Sequence, residues 1–527
     1  MNHQTAPVMK NYVFLLMILL LFSCTQKYDL LLINGEIYDG QGTGPFTGDI
    51  GIVGDKIVAI GDLENAKSAV VIDATGLAIS PGFIDMHTHL EPLMELPMAE
   101  SLLRQGATFA LGGPDGGGPW PFDSYLDSLD HIGLGINVGF LVGHNTLRKQ
   151  VMGMEDRKPT EEELNLMKSY VNEGMDAGAF GISTGLKYLP GTFSELEEVV
   201  ELSKMASAKS GIYTSHLREE GLGLIDAVKE ALVISREASI PVVLTHHKAI
   251  GVKMWGQSSK TLAMVDSARK VGLDIMMDQY PYAASHTGIS ILIPSWALEG
   301  NEFETRVADP VLKDSIKAGI IFNILNDRGG SDLRRIQFSR VSWKKELEGK
   351  TLQDWLEMEG MEPSMDNGAE LVIQAQLNGG TGTIYHAMDE KDVEKIMKHP
   401  MTMVGSDGRL SSPGDGHPHP RAYGTFPRIL GHYVRELKVL SLPEAIHKMT
   451  GLSANRLGLK NRGVIKEGYF ADITIFNPKT VIDQSTFTEP HQYPEGIEYV
   501  IVNGKMEVSE GELTGISNGR VIRKNQP

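Results

Sequence analysis

Cysteine is nearly absent: the chain of 527 residues has one, Cys24. A single thiol excludes an internal disulfide framework and any cysteine-built zinc site, so a metal would have to be held by His, Asp, Glu or a modified Lys. Positive charge is short as well, with 49 basic against 67 acidic residues and a formal net charge of −18. That balance excludes the broad basic face that nucleic-acid phosphates require, and no nucleic-acid partner is expected. Long apolar runs are missing beyond YVFLLMILLLF, Tyr12–Phe22, which is too short to span a membrane and about the length of a signal-peptide apolar region. No glycine-rich dinucleotide fingerprint follows the first strand of the strand–helix series, which disfavours a doubly wound nucleotide-binding sheet. Low-complexity tracts and repeats of solenoid period are also missing. What remains is ordinary globular composition, 41% hydrophobic and 22% charged. The length suits a large catalytic domain plus an accessory one.

The lone cysteine has a context. Lys10 precedes the apolar run, and Leu21-Phe22-Ser23-Cys24 follows it. This resembles the bacterial lipobox, with Phe22 an untidy member. Residues 1–24 are expected to be a lipoprotein signal peptide, with Cys24 acylated. Several acyl chains on one residue anchor stably where a single chain does not. The expected location is the cell envelope, lipid-anchored to a membrane on the periplasmic or surface side.

Residues 25–80 read as short strands with turns (DLLLINGEIYDG, GDIGIVGDKIVAIGDL, AVVIDATGLAISPG), and residues 461–527 have the same texture. NG and DG pairs between alternating apolar segments are hairpin signals. The two ends together are expected to build one small β-sandwich domain. Residues 81–460 alternate strand and helix. INVGFLV (136–142), AFGIST (179–184), IPVVLT (240–245) and LDIMMD (273–278) read as buried parallel strands. LIDAVKEALVISREA and KTLAMVDSARKVG carry helical spacing. Thr160 with Glu163, and Ser194 with Glu197, have the spacing of a capping box. Repeated βα units over this length predict an α/β fold, a (β/α)8 TIM-like barrel. Residues 290–380 interrupt the alternation with three of the five tryptophans and are expected to be an insertion near the barrel mouth, a candidate cap.

Polar side chains end these apolar runs. SPGFID leads to His87 and His89, AFGIST to Lys187, GIYTS to His216, PVVLT to His246, His247 and Lys248, and TMVGS to Asp407. In such a barrel all carboxyl ends of the strands meet on one face, where active sites are built. His87 and His89 are two apart and project to one side of a strand, and neutral imidazole is a good zinc ligand. An isolated HxH, or one His at a strand end, can equally be a structural histidine. The recurrence at one place in successive βα units is what points to a metal.

The arrangement resembles the amidohydrolase superfamily, and more narrowly its D-aminoacylase (N-acyl-D-amino-acid deacylase) branch. The resemblance rests on GHNTLR (143–148), GISTGLKYLPG (181–191), YTSHLREEG (213–221), LTHHK (244–248), DQYPYAAS (278–285), GSDG (405–408) and HPHPRAYGTFPR (417–428). It implies one or two divalent ions, zinc first, on His87, His89, His216 and His246, with Asp407 as ligand and proton carrier and His247 pointing away. It implies further that Lys248, Tyr282 and Arg421 bind the free carboxylate of an acylated amino acid, and that His144 of the GHNTLR loop assists at the carbonyl. This branch places a cysteine after the second strand to bridge metals. Here that region reads FALGGPDGG (109–117). Lys187, carboxylated on its amine as in hydantoinase and dihydroorotase relatives, is the first candidate bridge and Asp115 the second; a centre with no bridge is the third option.

The expected activity is hydrolysis of a linear amide in an N-acyl-D-amino acid, a small-molecule substrate. The alternatives are a cyclic amidase of dihydroorotase or hydantoinase type and a non-catalytic envelope lipoprotein that binds metal or solute. Oligomeric state is not legible.

Overall fold

The computed structural model describes residues 27–63 and 65–524. The expected signal segment and Cys24 lie outside them. Among the described residues no helix is long and apolar enough to cross a membrane.

Eight parallel strands form the central barrel: β1 (Phe83–Asp85), β2 (Ala107–Gly112), β3 (Asn137–Phe140, continued by Val142–Gly143), β4 (Gly181–Gly185), β5 (Ile212–His216), β6 (Val242–Leu244), β7 (Ile275–Gln279) and β8 (Thr402–Val404). Neighbours pair in parallel from β1 to β3 and from β3 to β8. The ring closes where the Met86 amide donates to the Val404 carbonyl at 3.1 Å. Every residue of these eight strands is buried. Helices cover the outer face and side chains fill the inner one, which is why the strands are buried along their whole length rather than on alternate residues.

LIDAVKEALVISREA forms one helix, Leu224–Ala238, burying Leu224, Ala227, Val228, Ala231 and Ile234 at spacings of three and four. The Thr160–Glu163 capping box forms at the start of helix Glu161–Asp176. The box expected at Ser194 does not. That helix starts at Leu196 with Glu195 at its N-cap, because a 3-10 turn over Gly191–Phe193 takes the Ser194 hydroxyl onto the Gly191 carbonyl at 2.7 Å.

Both chain ends enter one nine-stranded sheet, joined where Ala78–Pro81 runs antiparallel to Ile473–Phe476. It has its own apolar core of Leu32, Ile37, Ile52, Ile57, Ile473 and Ile501. Asn503-Gly504 makes the expected hairpin turn between Ile497–Val502 and Lys505–Ser509. Asn34-Gly35 does not: strand Lys27–Ile37 runs through it, and the register shifts there instead. The last described residues return to the barrel, where Gly519 and Ile522 donate to Leu134 and Val138 beside β3.

Segment 290–380 contributes to a three-stranded antiparallel sheet of Ser285–Gly288, Ile336–Arg340 and Gly382–Tyr385. Trp355, fully buried against Phe338 and Trp343, anchors its helices. It reaches the barrel mouth: Ser290, Ser339 and Gln376 line a cavity of about 500 Å³ together with Asp407 and Arg421.

Candidate metal centre

The barrel delivers six side chains to one point. His87 and His89 follow β1, Asp115 follows β2, His216 ends β5, His246 follows β6 and Asp407 follows β8. Three of them leave their strands through left-handed backbone: φ is 54° at Asp115, 35° at His246 and 51° at Asp407. Non-glycine residues hold such angles only where their surroundings enforce them. Two buried carboxylates do so at His246 and next to Asp407. Asp85 accepts the amides of His87 (3.2 Å) and Ser406 (2.8 Å), and Asp278 accepts the amide of His246 (2.6 Å). The Asp407 amide donates to the His87 carbonyl at 2.8 Å, tying β8 to β1. Gly405 must be glycine for this approach, since a Cβ there would meet His87 Cβ at 2.8 Å.

The donor atoms form two sets that share Asp115: His87, His89, Asp115 and Asp407 in one, Asp115, His216 and His246 in the other, each within 4.8 Å. Asp115 Oδ1 lies 3.5 Å from His87 Nε2 and 3.4 Å from His246 Nε2; its Oδ2 lies 3.8 Å from His89 Nε2 and 3.6 Å from His216 Nδ1. Asp407 Oδ1 lies 3.6 and 3.3 Å from the Nε2 atoms of His87 and His89. These are imidazole and carboxylate donors, the set borderline divalent ions such as zinc take. Among the described residues, both ring nitrogens of His87 and Asp115 Oδ1 are buried without a hydrogen-bond partner. Buried polar atoms are rarely left so. The residues present therefore fit one ion at each set, with Asp115 between.

Electrostatics agree. Burial acts to raise the carboxyls of Asp115 and Asp407; His87, His246 and His216 outweigh it for the first, and Arg421 for the second, holding both well below the usual carboxylate range. Arg421 Nη1 pairs with Asp407 Oδ2 at 2.8 Å, and the guanidinium stacks over Tyr280 at 4.6 Å. Arg421 also lines the cavity beside Asp407, which places its guanidinium at the cavity wall.

The amidohydrolase family model matches residues 70–309 and 354–507. This chain belongs to that family. A D-aminoacylase from Alcaligenes xylosoxydans xylosoxydans is 36% identical over 529 residues, covering 95% of this chain and 99% of the relative. The crystal structure of N-acyl-D-glutamate deacylase from Bordetella bronchiseptica, complexed with zinc and a phosphonate inhibitor, superposes with a TM-score of 0.82 at 32% identity, covering 94% of this chain and all of that one. A D-hydantoinase structure shares the fold alone, at 14% identity and a TM-score of 0.57.

Four sequence expectations change in this family member's structure. Lys187 is not in the cluster: its amine pairs with Glu219 beside a separate cavity lined by Tyr188, Leu189 and Pro294. Asp115 takes the bridging place, because the left-handed turn after β2 aims its carboxylate inward. His144 is turned onto Glu198 at 2.7 Å, which also takes Arg148, so its ring serves a buried ion-pair network. Tyr282 is tied off by Asp483 at 3.2 Å and stacked by Arg428, and Tyr280 is the tyrosine against Arg421. Lys248 is drawn inward onto Glu220 and His246 and does not line the cavity. His247 faces away as expected, bonded to Thr261 at 2.7 Å, with burial lowering its pKa to about 3. Sequence reasoning missed Asp85, Asp278 and Glu220.

Proposed function

We propose that this protein hydrolyses the linear amide of N-acyl-D-amino acids, releasing a carboxylate and a D-amino acid, with divalent metal held by His87, His89, Asp115, His216, His246 and Asp407. The observation that carries this is the sharing of Asp115 by two ligand sets directly beside the Asp407–Arg421 pair. The activities in the names of the relatives support the substrate class.

A bound ion supplies Lewis acidity, polarising the amide carbonyl and lowering the pKa of water to about 7. Asp407, kept ionised by Arg421, accepts the proton of the attacking water at its carboxylate and returns it to the leaving amine nitrogen. General acid–base transfer of this kind contributes about 10²–10⁴-fold. Arg421, which lines the cavity, offers its guanidinium to the substrate carboxylate, positioning the amide over Asp407. The cap segment with Ser290, Ser339 and Gln376 closes the far wall and limits bulk water.

Zinc-loaded protein assayed on a chiral panel of N-acetyl amino acids tests the reading. Hydrolysis confined to D-enantiomers and lost with chelator is expected; turnover of hydantoin or dihydrouracil in its place establishes the cyclic-amidase alternative. Stoichiometric metal with no amide turnover would instead mark a binding protein. The same reading places the enzyme in the cell envelope through an acylated Cys24, supported by the lipobox-like sequence; mass spectrometry of the mature N-terminus tests that.

A further inference from the structure

Glu220 takes no part in the chemistry proposed above, yet it is buried inside the site. It follows His216 by four residues. Its Oε1 lies 3.2 Å from His246 Nδ1 and its Oε2 3.6 Å from His216 Nε2. Lys248 donates to the same Oε1. These two ring nitrogens are the ones turned away from Asp115. The nitrogens facing Asp115 are His216 Nδ1 and His246 Nε2, and they stand 2.7 Å apart. The two rings therefore converge through unlike nitrogens and turn their remaining nitrogens toward one carboxylate.

A neutral imidazole offers a lone pair at one nitrogen only when the other carries the proton. His246 Nδ1 has a choice of partners: the Glu220 acceptor, or the Lys248 ammonium at 2.6 Å. Paired with Lys248, Nδ1 is bare, the proton sits on Nε2, and that nitrogen cannot ligate. Paired with Glu220, Nδ1 carries the proton and Nε2 is free. For His216 the corresponding proton sits on Nε2, which faces Glu220 Oε2 at 3.6 Å and makes no hydrogen bond among the described residues. Glu220 and Lys248 also cancel in charge, so no net cation faces an incoming one.

We infer that Glu220 is the positioning residue that fixes the ligating tautomers of His216 and His246, with Lys248 as its counter-ion. This rests on the metal reading of the site. Partners of metal-bound histidines of this kind are worth about 10–100-fold in metal affinity.

Zinc affinity measured by competition with a chromophoric chelator tests it without reference to activity. The His216→Ala variant identifies which dissociation constant belongs to the His216–His246 side. Glu220→Gln has one acceptor oxygen and cannot receive both ring protons; that constant is expected to weaken about 10–100-fold, with the His87–His89 side unchanged. Cobalt-substituted protein is expected to show a changed visible spectrum at the same side. If Glu220→Gln binds zinc as the wild type does, and only its melting temperature falls, the inference is overturned while the metal reading stands. If the wild type takes up no zinc, the metal reading itself fails. Should Glu220→Gln not fold, Glu220→Asp, which keeps the charge but withdraws the carboxylate by one methylene, is read in the same way.

Discussion

The guanidinium of Arg421 stands 2.8 Å from the carboxylate of Asp407, and both side chains are almost wholly buried. A buried pair of this kind is destabilised strongly when one partner is removed alone. It also fixes the carboxylate in its proton-accepting form. Asp407→Asn keeps the shape, removes the proton site and leaves five of the six donor residues intact. Turnover is expected to fall about 10²–10⁴-fold with metal retained. Steady-state kinetics and metal content on one preparation check this; wild-type kcat in the variant defeats the proton-shuttle role.

Arg421 itself is expected to govern recognition of the substrate carboxylate. Arg421→Lys should raise KM on N-acyl amino acids by about 10-fold or more, because an ammonium cannot reproduce planar two-point pairing. The matching amides, which lack the carboxylate, should lose much less. Equal loss on both substrate types would assign Arg421 to holding Asp407 alone.

Asp115 and Lys187 separate by metal content. Asp115→Ala is expected to lose metal from both sets, since Asp115 belongs to each. Lys187→Met is expected to retain full metal and activity, because it removes only a pairing with the half-exposed Glu219. Loss of metal in Lys187→Met, recovered with bicarbonate in the wild type, would restore the carbamate bridge.

The two tyrosines of DQYPY should differ in kind. Tyr282→Phe removes the bond to Asp483 and is expected to lower stability by about 1 kcal/mol with KM unchanged, read by urea unfolding beside kinetics. A KM effect would return Tyr282 to the substrate site.

Stability should fall with rising pH on account of Glu507. This carboxyl on strand Lys505–Ser509 is fully buried, and Oε2 has no partner among the described residues. Burial raises its pKa from 4.5 to about 8. A carboxyl raised by folding favours the folded state's neutral form, so nothing is lost below the unfolded value. The penalty grows between about 4.5 and 8 and reaches the order of 5 kcal/mol when ionised. Glu507→Gln should flatten this slope in urea midpoints measured across that range; an unchanged slope would mean that Glu507 ionises freely.

The sequence by itself determined the barrel, the double-ended β-domain and the positions of His87, His89, His216, His246 and Asp407. Strand and helix periods are local, and the carboxyl end of a parallel strand is a fixed place in the barrel, so a residue's position along its run already says where it will stand. Only the tertiary structure decided what lies beyond the strand ends. Once the chain leaves β2 or β7, alternation no longer says which side a residue faces. A left-handed turn aimed Asp115 inward, while Lys187 followed its loop outward to Glu219. Tyr280 met Arg421, and Tyr282 two residues on met Asp483. Asp85, Asp278 and Glu220 escaped notice for a related reason: each acts through a backbone amide or ring nitrogen brought to it by another part of the chain, and no spacing in the sequence records most of those meetings.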